Sequence, residues 1–371
     1  MTDSAERTDL LNALPLRDDL RGKSPYGAPQ LEVPVTLNTN ENTHPVPADV
    51  QRAIVEEVSK AALGLNRYPD REFTELRQEL AAYLGHGLHT DNVWAANGSN
   101  EILQQIMQAF GGPGRSVLSF VPTYSMYPIL SAGTNTEFIA GQRAADFTLS
   151  AESAAAQVAE HRPSIVILCS PNNPTGTALE DDVVEAVYQA GADSNTIVIV
   201  DEAYAEFSRN PAATALTMLP GRSRLVVTRT MSKAFALAGA RIGYFAAAPE
   251  ISDAIRLVRL PYHLSAVSQA TALAALRNRT TLLADVEDIK MQRDRIVDEL
   301  KRMGLSPSES DSNFVFFGGD FDAPALWQEL LSRGILIRDV GIQGHLRVTA
   351  GTEEETTAFL EGVESHLSAS A

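Results

Sequence analysis

Between Val93 and Phe245, short apolar and β-branched runs alternate with stretches of helical periodicity, and this alternation restricts the possible folds more than any other feature of the chain. The runs fall at 117–121, 136–139, 165–169, 197–200, 225–228 and 242–246. Helical spacing marks 102–110, 126–130, 151–160 and 181–190 between them. Strands that are apolar on both faces need cover on both sides, which crossover helices supply. The expectation is an α/β fold: a mostly parallel sheet sandwiched by helices, with ligands bound beyond the C-terminal ends of its strands.

The segments outside this region read differently. Residues 1–36 carry Pro15, Pro25, Pro29 and Pro34 and are expected to form an extended N-terminal arm. Residues 37–70 then hold a helix and a turn, the N-terminal part of a small domain and its linker. The large domain is expected over 71–264. Residues 265–371 contain a long helical pattern from 265 to 303, weakened near Asn278 and Arg279, and then strands and helices of a smaller α+β domain completed by both termini.

Several residues with chemical potential sit at strand ends. The run 225–228 leads into T-M-S-K-A-F-A-L-A-G-A-R-I-G-Y, which places Lys233 just past a buried strand, with Thr230, Ser232 and Arg241 nearby. Hydroxyls and a guanidinium suit a phosphate, and a lysine among cations and apolar walls has a lowered pKa, which makes it a nucleophile and base. Asp201 ends T-I-V-I-V-D and could pair with a protonated ring nitrogen; Tyr204 follows three residues later. S-P-N-N-P-T-G fixes Asn173 in a stiff turn after the third run. Gly98, Ser99 and Asn100 open a helical pattern, an arrangement suited to an anion, and Tyr124 offers a ring for stacking.

In this order the pieces resemble the fold type I pyridoxal-phosphate aminotransferases, from about Asn38 to the C-terminus. The resemblance implies pyridoxal 5'-phosphate as cofactor, carried by Lys233, with Asp201 at the pyridine nitrogen and Asn173 and Tyr204 at the ring hydroxyl. Gly98, Ser99, Asn100, Thr230, Ser232 and Arg241 are then the phosphate cradle, with Tyr124 on the ring; Lys233, Asp201 and Tyr204 are the catalytic set.

The ends of the chain resemble the branch of that family acting on histidinol phosphate: L-R-G-K-S-P-Y-G-A-P-Q, L-N-T-N-E-N, N-R-Y-P-D, L-P-Y-H-L-S and H-L-R-V-T-A-G-T. That branch implies a homodimer with shared sites, in which Tyr68 reaches the cofactor phosphate of the neighbouring subunit. It also implies that Arg347 binds the donor carboxylate, while Tyr26, Asn173, Tyr262 and Arg338 help hold the substrate. The sequence departs from the pattern in a short stretch between Arg338 and Arg347. The implied reaction exchanges L-histidinol phosphate and 2-oxoglutarate with imidazole acetol phosphate and L-glutamate, in histidine biosynthesis. An aromatic amino-acid aminotransferase and a phospho-amino-acid decarboxylase are the alternatives.

Composition limits the partners. With 30 basic and 47 acidic residues the formal charge is −17, which argues against nucleic acid and anionic membranes. An anionic substrate then needs a locally basic site, for which Arg241, Arg338 and Arg347 are candidates. The single cysteine, Cys169, lies in an apolar run and fits a reducing compartment. The N-terminus shows no apolar signal core and no run approaches membrane-spanning length, so a cytoplasmic location is expected. The histidines show no metal-ligand spacing.

Overall fold

The computed structural model describes Leu11, residues 13–23 and residues 25–370; the remainder of the expected arm (1–10, 12 and 24) and Ala371 lie outside the described residues. After a 3₁₀ turn at Asp18–Leu20 the arm runs to β1 (Val35–Thr36). The central sheet contains β2 (Val93–Ala96), β3 (Ser116–Val121), β4 (Glu137–Gln142), β5 (Ile165–Cys169), β6 (Ile197–Asp201), β7 (Leu225–Thr230) and β8 (Gly243–Ala247). Their spatial order is β2-β8-β7-β6-β5-β3-β4. β3 to β7 are mutually parallel, and β8 pairs antiparallel with both β7 and β2. Every residue of β5, β6 and β8 is buried, the burial expected of strands covered on both faces.

From β3 the chain goes one way to β4, while β5, β6 and β7 are added on the other side. Such a reversal opens a crevice at the C-terminal strand ends. Pro122, Thr123 and Tyr124 follow β3 there, and Pro171 to Pro174 follow β5.

The C-terminal region adds β9 (Ser306–Pro307), β10 (Phe314–Gly318), β11 (Ile335–Leu336), β12 (Arg338–Asp339) and β13 (His345–Thr349). Four of them form an antiparallel sheet in the order β12-β13-β10-β9, while β11 pairs in parallel with β1 of the arm. Two apolar cores result. The larger runs from Val50 to Leu282; the smaller takes Leu37 and most of its members from Val286 to Val363, with Tyr204, Phe207 and Ala234 reaching in from the larger lobe. The cores thus part between Leu282 and Val286.

Apart from the two-residue strands β1, β9 and β12, which the sequence expectation lacks, three elements differ from it. β2 was not anticipated: V-W-A-A is short and half alanine, a weak strand signal, yet it is buried against β8. A helix at Pro249–Val258, opened by a proline in its first turn, was also missed. The pattern 265–303 is three helices, Ala266–Arg277, Arg279–Leu282 and Val286–Arg302. Asn278 breaks the first by donating its side-chain amide to the Ala274 carbonyl at 2.8 Å. Among the described residues no helix is long and apolar enough to cross a membrane, and no group of side chains is placed to hold a metal ion.

Candidate active site

A cavity of about 540 Å³ lies at the crevice, between the C-terminal ends of the large sheet and the small sheet. It is lined by Lys233, Asp201, Tyr204, Asn173, Tyr124, Ser99, Asn100, Thr230, Ser232 and Arg241 from the large lobe, and by Tyr26, Arg338 and Arg347 from the arm and small lobe. Residues separated by more than 300 positions in the chain therefore share one wall.

Lys233 follows β7 by three residues, and its Nζ donates to the Thr39 carbonyl at 2.9 Å. Burial, followed by the nearby positive charge of Arg347, lowers its amine from 10.5 to about 7; Arg241 adds to this and Glu41 opposes it. A free amine is thus available near neutral pH. In cofactor-free protein, acylation of Lys233 should follow a titration with its midpoint near pH 7, slow below and fast above. Arg347→Gln removes a neighbouring cation, so the midpoint should move upward. Peptide mapping of the modified amine checks both, and a wild-type midpoint at the ordinary lysine value would contradict the assignment.

Asp201 ends β6 and is 2 % exposed. Its Oδ2 accepts from the Tyr127 hydroxyl at 2.8 Å and its Oδ1 from Thr228 at 3.0 Å. Burial pushes the carboxyl above its ordinary value, against the pull of these two hydrogen bonds. It has no ion-pair partner among the described residues, so a cationic ring N–H would meet an unmet need.

Tyr204 accepts from the side-chain amides of Asn40 at 3.0 Å and Asn173 at 3.3 Å. Asn173 in turn accepts from Arg347 Nη1 at 2.6 Å, and Arg347 Nη2 donates to the Asn38 carbonyl at 2.8 Å. The Arg347 Nε is buried without a partner, leaving a donor for an incoming oxygen. Burial lowers this guanidinium to about 10. Arg338 stands at the same wall, 6.0 Å from the Tyr26 ring.

At the other end of the cavity, Thr230 donates to Ser232 at 3.0 Å and Arg241 Nη1 donates to Ser232 Oγ at 3.2 Å. The helix Ser99–Phe110 points its N-terminus here, with Gly98 at φ +85°. A side chain at Gly98 would strike the Arg241 guanidinium, so glycine is needed for this approach. Asn100 Oδ1 is buried and unpartnered. Hydroxyls, guanidinium and helix terminus converge as a phosphate requires, and Tyr124 and Asp201 line the space beyond. A phosphorylated pyridine fits this donor set.

Two expected site residues lie elsewhere. Tyr68 is 80 % and Tyr262 39 % exposed, and their rings stack on each other at 4.4 Å rather than facing this cavity. Conversely, Tyr127, Thr228, Asn38 and Asn40 were not singled out by the sequence. Tyr127 follows Tyr124 by one helical turn, and Asn40 stands in the quoted L-N-T-N-E-N; spacing alone did not reveal their partners.

Comparison with known proteins agrees with this geometry. The family described as "Aminotransferase class I and II" matches residues 32–363. The chain belongs to that family. Within it, the chain is 71% identical over its whole length to the histidinol-phosphate aminotransferase of Paenarthrobacter aurescens (strain TC1), covering 99% of that protein. It is 57% identical to the enzyme of that name from Frankia casuarinae, over 97% of this chain and 92% of that one. The crystal structure of histidinol-phosphate aminotransferase from Sinorhizobium meliloti in complex with pyridoxal-5'-phosphate superposes with a TM-score of 0.82 at 26% identity, covering 91% of this chain and 92% of that one.

Proposed function

We propose that this chain catalyses pyridoxal-phosphate-dependent transamination between L-histidinol phosphate and 2-oxoglutarate, yielding imidazole acetol phosphate and L-glutamate, as a step of histidine biosynthesis. The observation that carries the reading is a neutral-range amine, Lys233, in one cavity with a buried carboxyl that has no ion-pair partner among the described residues, Asp201, and two arginines, Arg338 and Arg347. The names of the relatives support the substrate.

Ser99, Asn100, Thr230, Ser232 and Arg241 would hold the cofactor phosphate, Tyr124 its ring face, and Asn173 and Tyr204 its hydroxyl. When bound, the cofactor supplies an electron sink for the pair released as the substrate Cα–H bond breaks. Lys233 takes that proton as general base and returns it as general acid, an exchange favoured by an amine near neutrality. Asp201 would pair with the protonated ring nitrogen. Arg347 binds the carboxylate of glutamate; Arg338, with Tyr26, holds the phosphate-bearing substrate. Guanidinium forks donate to either oxyanion, so one pocket can serve both half-reactions. Steady-state assays should give a kcat/KM for L-histidinol phosphate at least about a hundredfold above that for L-phenylalanine, because the missing phosphate leaves buried donors unpaired. Equal values would reassign the chain to aromatic amino acids.

The stacked Tyr68 and Tyr262, flanked by exposed Leu63, Leu65, Leu257 and Leu260, support a homodimer in which Tyr68 serves the neighbour's phosphate site. Tyr68→Phe should raise the pyridoxal-phosphate Kd about tenfold by loss of one hydrogen bond to a charged group. Gel filtration should show a dimer for both proteins; a monomer with full activity would remove the idea. A cytoplasmic location is supported by the one buried thiol, Cys169.

A further inference from the structure

We propose that Phe147 is a positioning residue: its ring docks the small-lobe sheet on the large lobe and so sets where Arg338 and Arg347 stand in the cavity. The two arginines belong to the small sheet, on β12 and β13, whereas Lys233 and Asp201 belong to the large one. Something must fix one sheet against the other.

On β10, Val315 and Phe317 point into the small-lobe core, which Phe314 also joins through its contact with Tyr204 of the large lobe. By strand alternation, Phe314 and Phe316 lie on the opposite face, toward the large lobe. Phe316 pairs directly with Arg347 across β10 and β13, and Arg347 pairs with Arg338 across β13 and β12. Directly opposed residues share a face, so Phe316, Arg347 and Arg338 form one row. Phe314 meets Tyr204 of the large lobe edge-on at 5.1 Å and lies 5.1 Å from the Arg347 guanidinium carbon.

Phe316, though on the cleft face, is only 1 % exposed. Its cover is a three-ring cluster. His345 stacks on it at 4.7 Å and 7°, and Phe147 meets both rings edge-on, Phe316 at 5.4 Å and His345 at 5.6 Å. Gly318 makes room for the stack, since a Cβ there would lie 2.6 Å from the imidazole. Phe147 itself comes from the loop after β4 in the large lobe, at φ +66°. Its carbonyl accepts from Arg143 Nη1 at 3.3 Å, while Arg143 Nε donates to Phe120 of β3 at 3.0 Å. The ring is thus tied to the sheet that carries the cavity. Other bridges hold the small lobe elsewhere: Arg347 to Asn173 at 2.6 Å at the arginine itself, Asp311 to Gly176 and Arg209 at 2.8 Å and Arg293 to the Phe207 carbonyl at 2.8 Å beyond the far end of β10, and Tyr204, Phe207 and Ala234 within the small-lobe core. Phe147 supplies the apolar support beside the arginine row.

The inference rests on the reading that Arg347 and Arg338 hold substrate oxygens. The test is kinetic, on the full-length holoenzyme, with Phe147→Ala, Phe147→Tyr and Arg347→Gln. Phe147→Ala should raise KM for both L-histidinol phosphate and 2-oxoglutarate about tenfold, as misplacement of binding groups does, with a change in kcat below about threefold. The pyridoxal-phosphate Kd should stay within about twofold, and Phe147→Tyr should restore both KM values. In a Lys233→Ala background, which binds without turnover, equilibrium dialysis should show L-histidinol phosphate bound about tenfold more weakly once Phe147→Ala is added. Unchanged KM values for Phe147→Ala, with raised values for Arg347→Gln, would overturn the inference and leave the reading of the arginines intact. Cofactor affinity falling in step with substrate affinity would also overturn it, since that marks a general loss of structure. An Arg347→Gln enzyme with unchanged KM values would defeat the reading of the arginines and the inference with it.

Discussion

Lys233→Ala is expected to lower kcat by about 10⁴-fold or more, because one amine serves as both cofactor attachment point and proton carrier. No other group in the cavity can take over. Tyr204, a hydroxyl lining the same cavity, is pushed well above its ordinary value by burial, and Arg347 remains a cation at about 10. The variant should keep its fold, since the lysine makes a single hydrogen bond, to the Thr39 carbonyl, and its removal takes a costly group out of the interior. Borohydride treatment should fix cofactor to the wild-type chain at Lys233 and none to the variant. Turnover within tenfold of wild type would end the assignment.

Asp201→Asn should cost about 10² to 10³ in kcat, the scale of losing one partner of a buried charge pair. An amide cannot keep a ring nitrogen protonated, so the electron sink weakens while the site stays formed. The cofactor-free protein should respond in the opposite sense. Its Asp201 is a buried carboxyl raised above its unfolded value, so the site costs stability as pH rises above the ordinary carboxyl range, and that cost disappears on acidification. Asparagine removes that cost, and the Tm without cofactor should hold or rise while cofactor affinity falls. A Tm drop in both states would mean that Asp201 serves chiefly to hold the strand ends together through Tyr127 and Thr228.

The parts of the site legible in the sequence are those set by one strand and the turn after it. Asp201, Asn173 and Lys233 each follow a β-branched run, and parallel strands bring all such ends to one side of a sheet, so their convergence followed from periodicity. Groups defined by a distant partner could not be found that way. Tyr127 matters because its hydroxyl meets Asp201, 74 positions away, and Asn40 because it meets Tyr204, 164 positions away. Phe147 gave no signal at all, being one aromatic in a polar loop whose partners lie on the other lobe. Tyr68 and Tyr262 show the converse: both are expected site residues, and within one chain they stack on each other away from the cavity.

The most direct test of the central claim is a single-turnover half-reaction. Enzyme in its pyridoxal form is mixed separately with L-histidinol phosphate, L-phenylalanine and L-threonine phosphate, and conversion to pyridoxamine phosphate is followed by absorbance. Stoichiometric conversion with L-histidinol phosphate, far faster than with phenylalanine and without carbon dioxide release from any substrate, is the predicted result. Phenylalanine reacting as fast or faster, or carbon dioxide released from threonine phosphate, would contradict it.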